Sequence, residues 1–180
     1  TYAKANPGRL NYASSGTGTP YHLAGEMFKS LAAVEIVHVP HKESSAARTA
    51  VVGGQVEMMF DAITVMAKLA EAGKVRAIAS SGRTRSGVMP ELPTVAEAGV
   101  PGFDAVIWLG IMAPTNTPRA IIDRLNTEIG RIVGAAETKA DFERQGAVPM
   151  RMSADEFSRF IAQDIEKWAK VIRAAGVKTE

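Results

Sequence analysis

The sequence predicts an α/β fold in which a parallel-rich sheet is flanked by helices, and three observations support this class. Residues 8–112 alternate short apolar runs with stretches of helical periodicity, a β-α-β-α rhythm that is typical of parallel sheets. Apolar residues form 46% of the 180-residue chain, which is enough for a packed core. After residue 113 the pattern changes to long amphipathic helices with few strand-like segments.

Glycines divide the first half of the chain into short alternating elements. Four apolar runs are predicted strands: Leu10–Ser14, Ile36–Val39, Val56–Phe60 and Val75–Ser80. The first predicted helix, Pro20–Ala32, has its apolar residues on one face. The next helix should be capped by Ser44 or Ser45 and should end at Gly53, and a shorter helix should end near Gly73.

The middle of the chain combines a short helix signal with further strand signals. Thr94 and Glu97 have the spacing of a capping box, which predicts a helix of one or two turns that ends at Gly99. Residues 105–113 are apolar and favour a strand that links two regions of the fold. Residues 148–152 predict one more strand before the C-terminal helix.

Two long amphipathic helices are predicted in the last third of the chain. Thr117 can cap the first helix, with Pro118 at its first helical position, and Ser153–Glu156 has the spacing of a second capping box. The second helix should end at Gly176. Two such helices and one strand do not close a core. Their apolar faces should therefore cover the sheet of residues 8–112 or pair with strands that the chain lacks.

Charge and composition exclude several classes of protein. The 21 Lys and Arg residues nearly balance the 19 Asp and Glu residues, and no basic cluster favours nucleic acid as a partner. The absence of cysteine excludes thiol catalysis, disulfides and cysteine-based zinc sites. No apolar run has the length of a membrane span, and residues 1–9 lack the apolar stretch of a signal peptide. We expect either a cytosolic protein or one whose N-terminus has been removed.

A Gly-rich segment between a predicted strand and a predicted helix is the clearest local signal. Small residues let the backbone approach a ligand, N–H groups at a helix start attract an anion, and hydroxyls add neutral donors. The segment lacks the dinucleotide pattern and the P-loop lysine, so a carboxylate fits it better than a nucleoside triphosphate. A tight turn with a threonine cap is the alternative. The candidate binding residues are Ser14, Ser15, Gly16, Thr17, Gly18 and Thr19.

Histidines and one aspartate are further candidates. The spacing of His22, His38 and His41 matches no usual zinc motif, so we expect structural roles and neither a metal nor an organic cofactor. His22 lies in the first turn after the Gly-rich segment and could face a ligand. Asp61 follows a predicted strand, at the sheet edge where ligands of α/β proteins bind. It could contact a ligand amine or hydroxyl, or cap the next helix.

Seven segments, taken in order, carry a resemblance to a known family. They are Leu10–Ala24, His38–Lys42, Gly54–Asp61, Pro93–Gly102, Trp108, Ala113–Pro118 and Glu166–Trp168. Together they resemble motifs of the substrate-binding proteins of tripartite tricarboxylate transporters, the Bug/TctC-like family. Two positions depart from the family pattern, since His41 replaces the usual Tyr and Glu43 replaces the usual Gly. A carboxylate at residue 43 could repel a dicarboxylate, or it could point to solvent.

The resemblance implies a two-lobe fold of the periplasmic-binding-protein type that closes on its ligand, here incomplete. Residues 1–105 would form the second lobe with the ligand-binding loop. Residues 106–180 would supply a crossover strand and C-terminal helices that return to the first lobe, whose N-terminal part is absent. The implied function is reversible binding of a small organic carboxylate in the periplasm, without catalysis, for delivery to the subunits of a membrane transporter.

Beside the Gly-rich loop, the candidates at the ligand cleft are His22, Lys42, Ser44 and Asp61. An α/β hydrolase that uses Asp61 and His22 is the enzymatic alternative, but the sequence shows no set of nucleophile, base and orienting residue. A fragment that binds nothing and associates with itself is a third possibility. Because the two long helices carry wide apolar stripes, we also predict that the 180-residue chain is not a self-sufficient monomer.

Overall fold

Three short parallel strands form the only sheet among residues 1–177, the part of the chain that this computed structural model describes. The strands are β1 (Asn11–Ser14), β2 (Val37–Pro40) and β3 (Met58–Met59). β1 lies between the other two, in the order β2-β1-β3. Tyr12 of β1 is paired with His38 of β2 and with Met58 of β3. The predicted α/β class with a parallel sheet is confirmed.

Helices account for most of the remaining regular structure. They are α1 (Tyr2–Ala5), α2 (Pro20–Ala32), α3 (Ser44–Val52), α4 (Ile63–Glu71), α5 (Arg119–Gly134), α6 (Ala136–Arg144) and α7 (Ala154–Ala175). The predicted bounds of α2 are confirmed, whereas α1 and α6 were not predicted. The described residues form two compact units, residues 108–167 and residues 1–107 together with residues 168–177. The last three residues of the predicted region 106–180 lie outside the described residues.

Side chains of β1 alternate between two faces, and helices cover both. The ring of Tyr12 is fully buried against α2, where the missing side chain of Gly25 leaves space for it. Ala13 points to the opposite face and packs with Ala47 and Ala50 of α3. A strand that is buried on both faces is typical of the centre of a parallel α/β sheet.

A second cluster of apolar side chains joins α2 to the chain that follows residue 93. Its buried members are Ala24, Met27, Val95, Phe103 and Ala105. Phe103 contacts the rings of Phe28 and Phe60, at centroid distances of 6.4 and 5.6 Å. Trp168 and Val171 of α7 pack against the same cluster. The end of α7 therefore belongs to the core of the first unit.

Several predicted strands are shorter than expected or absent from residues 1–177. The predicted strand Val56–Phe60 is reduced to Met58–Met59. The prediction at Val75–Ser80 is wrong, because only Ser80 forms a parallel bridge, with Thr94. Residues 105–113 and 148–152 form no ladder, and these predictions are also wrong for the described chain. A strand requires a neighbour to bond its backbone, and none of the described residues provides one there.

The predicted helix caps have mixed outcomes. Both reciprocal hydrogen bonds of the Thr94–Glu97 capping box form, at 3.0 and 3.1 Å, but they close a turn instead of a helix. The Ser153–Glu156 capping box is confirmed at the start of α7. The predicted cap of α3 by Ser44 or Ser45 is wrong, because Glu43 occupies the N-cap position, without a side-chain hydrogen bond to the helix backbone.

The second unit exposes much of its apolar surface. Trp108 packs edge-on against Phe157 and Phe160 and donates its indole N–H to Asp164 at 2.9 Å. In contrast, α5 and α6, which are described over their whole length, contain no fully buried residue. Leu109 in the extended segment before α5 is 99% exposed. The apolar stripes predicted from the sequence are therefore present, and they are largely uncovered by residues of this unit.

Candidate ligand-binding site

Three loops lie at the same edge of the sheet because all three strands are parallel. The loop after β1 contains residues 15–19, the loop after β2 contains residues 41–43, and the loop after β3 contains residues 60–62. The carboxyl ends of parallel strands form the usual ligand-binding edge of an open α/β sheet. Candidates that are far apart in the sequence, from Ser14 to Asp61, are thus brought to one edge.

Ser14, the last residue of β1, holds the base of the Gly-rich loop. Its side chain is fully buried, and its hydroxyl oxygen accepts a hydrogen bond from the Gly16 N–H at 3.1 Å. The same hydroxyl lies 2.6 Å from Nε2 of His38. The carbonyl of Ser14 accepts the His41 N–H at 3.0 Å, which ties the loop after β2 to β1. Among the candidates, Ser14 therefore supports the loop from below.

Internal hydrogen bonds fix the shape of the loop. The Thr19 hydroxyl donates to the Gly16 carbonyl at 2.7 Å, and the Gly18 N–H donates to Nδ1 of His22 at 3.0 Å. Gly16 and Gly18 have φ angles of +122° and +78°, which side chains rarely permit. Thr17 and Gly18 are exposed at the tip, while Ser15 and Thr19 are partly buried. The glycines are thus required by the turn itself.

Four backbone N–H groups at this edge have no protein acceptor among the described residues. They belong to Ser15, Thr17, Tyr21 and His22. The last two lie in the first turn of α2, whose N-terminus carries a partial positive charge. A loop and a helix start that both present such N–H groups can bind an anionic oxygen without a cationic side chain.

A stack of rings lies beneath the loop. The rings of His22 and His38 are parallel within 16° and 3.9 Å apart, and the ring of Tyr12 stacks on His38 at 4.9 Å. Burial lowers the pKa of both histidines, and burial together with the neighbouring His22 lowers the pKa of His38 to about 4. Both rings are therefore neutral at pH 7.

One carboxylate anchors this stack from α2. The Tyr12 hydroxyl donates to Oε1 of Glu26 at 2.6 Å, and Nζ of Lys29 lies 2.8 Å from the same oxygen. Burial of Glu26 opposes its ionisation, but the hydrogen bonds from Lys29 and Tyr12 outweigh it and lower the pKa of this carboxyl. Burial and the adjacent Glu26 raise the pKa of Tyr12, which stays protonated.

Asp61 is held by an arginine of α3. The Arg48 guanidinium contacts both carboxylate oxygens, through Nε to Oδ2 and through Nη2 to Oδ1 at 3.0 Å. The Asp61 side chain is fully buried, and its Oδ1 also accepts the Ala62 N–H at 2.7 Å. Burial, followed by the charge of Asp61, raises the pKa of Tyr21. Arg48 therefore neutralises the charge of Asp61 at this edge.

The remaining candidates lie on the loop after β2 and at the start of α3. Lys42 is exposed, and Ser44 is the partly buried first residue of α3. The carboxylate of Glu43 accepts a hydrogen bond from the Ser45 hydroxyl at 3.1 Å, and the Glu43 residue is exposed. The acidic residue that departs from the family pattern is therefore solvated and bonded to its own helix.

Residues 1–177 match the family described as the tripartite tricarboxylate transporter family receptor, TctC. The chain belongs to the TctC family. Its relatives include a protein encoded in the tcbD-tcbE intergenic region of Pseudomonas sp. strain P51, which is 37% identical over 94% of this chain and 51% of that protein. The chain spans about half the length of the curated relatives it matches.

Solved structures agree with the TctC assignment. Rpa4515 of R. palustris with adipate has a TM-score of 0.86 and 34% identity, over 98% of this chain and 59% of that one. MatC from Rhodopseudomonas palustris with bound malate has a TM-score of 0.77 and 28% identity, over 95% of this chain and 59% of that one. The periplasmic binding protein BugD has a TM-score of 0.80 and 29% identity, over 99% of this chain and 60% of that one. The periplasmic-binding-protein-like fold class is confirmed.

Membership of the TctC family bears directly on the enzymatic alternative. The family is described as a transporter receptor, which argues against the hydrolase built on Asp61 and His22. Among residues 1–177, no group of three His, Cys, Asp or Glu side chains is arranged to hold a metal ion. Within the same residues, none of the helices has both the length and the apolar composition that a membrane span requires.

Sequence reasoning missed several residues that shape the site. Tyr12 and Glu26 support the loop beside His38, for which a structural role was expected, and Arg48 pairs with Asp61. The spacing of His22 and Glu26, four residues apart on α2, is a signal that the sequence does carry. Arg48 has no comparable signal, because its partner is thirteen residues away and is reached only through the fold.

Proposed function

We propose that this chain contributes the ligand-binding loop of a receptor that reversibly binds a small organic dicarboxylate. The observation that carries the proposal is the set of N–H groups at the carboxyl edge of the sheet, on the loop 15–19 and the first turn of α2. A carboxylate oxygen accepts several such hydrogen bonds at once. The hydroxyls of Ser15 and Thr17, together with Lys42 and Ser44, would complete the contacts around the anion.

Two observations support a dicarboxylate as the ligand: the ligands of similar structures and the pairing of charged residues near the loop. Adipate and malate accompany two of the similar structures. Within this chain Arg48 is already paired with Asp61, so the carboxylate would be held by backbone dipoles and not by that guanidinium. Asp61 would act indirectly, by fixing Arg48 and Tyr21 beside the loop. A weakly charged site of this kind suits a receptor that must later release its ligand.

Delivery to a membrane transporter in the periplasm is the second part of the proposal. It is supported by the family, which is named for its transporter, and by the fold of the periplasmic protein BugD. Closure of two lobes over the ligand would bury it and create the surface that the transporter subunits recognise. Residues 1–105 would belong to one lobe, and residues 106–180 would lead back to the other.

Polypeptide outside these 180 residues would complete the second unit. Leu109 and Ile111 are 99% and 74% exposed, and no residue of α5 is fully buried. Such apolar exposure exceeds what monomeric proteins usually show. Strands of the first lobe are the occupant that we propose for this surface, because the matching relatives are about twice as long as this chain. When the 180 residues are expressed alone, light scattering should detect association, and a monodisperse monomer would contradict the proposal.

Two matched glycine substitutions test the binding loop. Gly18 and Gly54 have φ angles of +78° and +69°, and a Cβ at either position would meet no atom within 4 Å. Valine should therefore cost a similar free energy at both positions, about 1–2 kcal/mol, because both require a left-handed conformation. Gly54 precedes β3, at the opposite edge of the sheet from the loop.

The assay is calorimetric titration of adipate and malate into the full-length receptor. We expect Gly18→Val to weaken binding by at least about tenfold, the equivalent of about 1.4 kcal/mol, while Gly54→Val binds like the wild type. A diamine of the same length as adipate serves as the control ligand and should not bind. Equal affinities in the two variants would remove the loop from the site, and the absence of binding by any carboxylate would contradict the proposed function.

A further inference from the structure

A single imidazole nitrogen holds the tip of the Gly-rich loop. The Gly18 N–H donates to Nδ1 of His22 across 3.0 Å, and Gly18 itself is exposed. The His22 residue is buried, only 5% exposed, on the first turn of α2. This hydrogen bond therefore fixes the orientation of the peptide group that joins Thr17 to Gly18, next to the Thr17 N–H.

The hydrogen bond requires one particular protonation state. A nitrogen that accepts an N–H must be unprotonated, so neutral His22 carries its proton on Nε2. Nε2 lies 3.7 Å from Oε1 of Glu26, which favours the proton on that side of the ring. Protonation of Nδ1 would place two donors, the Gly18 N–H and the new imidazolium N–H, against each other at hydrogen-bonding distance.

We propose that His22 is a positioning residue that holds the anion-binding loop through Gly18 only while its ring is neutral, so that acidification releases the loop. The inference rests on the proposed function of the loop. It makes ligand affinity depend on pH through the protein, with high affinity when His22 is neutral and lower affinity when it is protonated. The dependence is separate from the titration of the ligand's own carboxyl groups.

Charged and titratable groups face His22 from three elements. On α2, Glu26 favours protonation of the ring, whereas Lys29 opposes it. From β1, the Tyr12 ring stacks at a centroid distance of 6.3 Å and keeps its hydroxyl proton. From β2, the ring of His38 stacks at 3.9 Å, and His41 lies beyond it at the end of the strand.

The balance among these groups keeps the ring neutral near pH 7. Burial is the largest effect and lowers the pKa of His22, Glu26 partly reverses it, and Lys29 adds to it. Burial also lowers the pKa of the stacked partner, His38, to about 4, so that ring is neutral near pH 7 as well. The loop is therefore held at neutral pH and released at a pH below the ordinary range of histidine.

Two nitrogen atoms share this hydrogen bond, so nuclear magnetic resonance can detect it directly. In ¹⁵N-labelled full-length protein without ligand, a trans-hydrogen-bond coupling between Gly18 N and His22 Nδ1 should be present at about pH 7.5 and should vanish as the His22 ring titrates. A coupling that persists below the midpoint of that titration would overturn the proposal, as would a neutral ring with its proton on Nδ1. This measurement involves no ligand, so it remains decisive even if the proposed function fails.

His22→Asn supplies the matched variant, in which an asparagine side chain replaces the imidazole. Its side-chain oxygen accepts hydrogen bonds near the place of Nδ1 and does not titrate. Calorimetric titrations of adipate at about pH 7.5 and at a pH below the midpoint of the His22 titration seen by nuclear magnetic resonance should show a fall in affinity for the wild type. This fall should exceed the fall for His22→Asn by at least about fivefold. His41→Gln removes a histidine that contacts the Val39 carbonyl instead of the loop, so it should behave like the wild type. Identical pH profiles for the wild type and His22→Asn would contradict the role of His22.

Discussion

Replacement of Gly25 by alanine tests the packing on which the site rests. Gly25 lies in the middle of α2 and faces Tyr12, the fully buried residue of the central strand. A Cβ at this position would lie 2.2 Å from Cε2 of the ring and 2.6 Å from Cζ. Real Cβ atoms do not approach ring carbons so closely, so the ring or the helix must move. The Tyr12 ring cannot move freely, because it stacks on His38 and bonds to Glu26.

Two opposing effects determine how far Gly25→Ala changes the free energy of unfolding. Alanine in place of glycine within a helix favours folding by about 1 kcal/mol. Overpacking of a close-packed core costs about 1–3 kcal/mol, and loss of the hydrogen bond from Tyr12 to the charged Glu26 costs about 1.5–3 kcal/mol more. The packing effects outweigh the helix propensity. We therefore expect Gly25→Ala to lower the free energy of unfolding by about 1.5–5 kcal/mol, and the melting temperature by roughly 3–20 °C.

The control is the same substitution in another helix. Gly130 lies within α5, and a Cβ there would meet its nearest atom, Nε of Arg151, at an ordinary 3.6 Å. Gly130→Ala should therefore raise the free energy of unfolding by up to about 1 kcal/mol. Urea unfolding followed by circular dichroism measures both changes. If Gly25→Ala were as stable as the wild type, α2 would not pack on the Tyr12 ring as described.

Two further predictions concern charged and titratable groups near the site. Arg48→Met leaves the buried Asp61 carboxylate without its partner and should lower the free energy of unfolding in urea by about 3–5 kcal/mol. The double variant Arg48→Met, Asp61→Asn should recover most of this loss. A small loss in the single variant would contradict a buried pair. His38 has a folded-state pKa of about 4 against 6.5 when unfolded, so the unfolded state binds the proton first as pH falls from 6.5 to 4. The free energy of unfolding should therefore decline by up to about 3 kcal/mol as the pH falls from 6.5 to 4, and His38→Asn should flatten this decline. If the variant shows the same pH dependence as the wild type, His38 is not the group responsible.

Local sequence patterns were sufficient for most of the helices and for the loop. Pro20–Ala32 was predicted from its apolar spacing, and the Ser153–Glu156 capping box from the reach of a side chain to a nearby N–H. Such interactions involve residues within a few positions of each other, so the sequence displays them. The Gly-rich loop was likewise predicted between a strand and a helix, since only glycine tolerates the φ angles of residues 16 and 18.

The strand predictions failed for the opposite reason. Residues 75–80, 105–113 and 148–152 are apolar and β-prone, yet a strand exists only when a second segment bonds its backbone. The polar partners of the site were hidden in the same way. Asp61 was predicted as a ligand contact or a helix cap, but no local pattern pointed to Arg48, which reaches it from α3.

The amino-acid sequence by itself therefore determined the α/β class, most of the helices, the Gly-rich loop and the family to which the chain belongs. Only the tertiary structure decided which N–H groups of the loop lack an acceptor among the described residues, and that His22 holds Gly18 while His38 holds Ser14. It also decided that Arg48 neutralises Asp61. The physical reason is distance along the chain: propensity and capping act between neighbours, whereas charge pairing, ring stacking and sheet ladders join residues that only folding brings together.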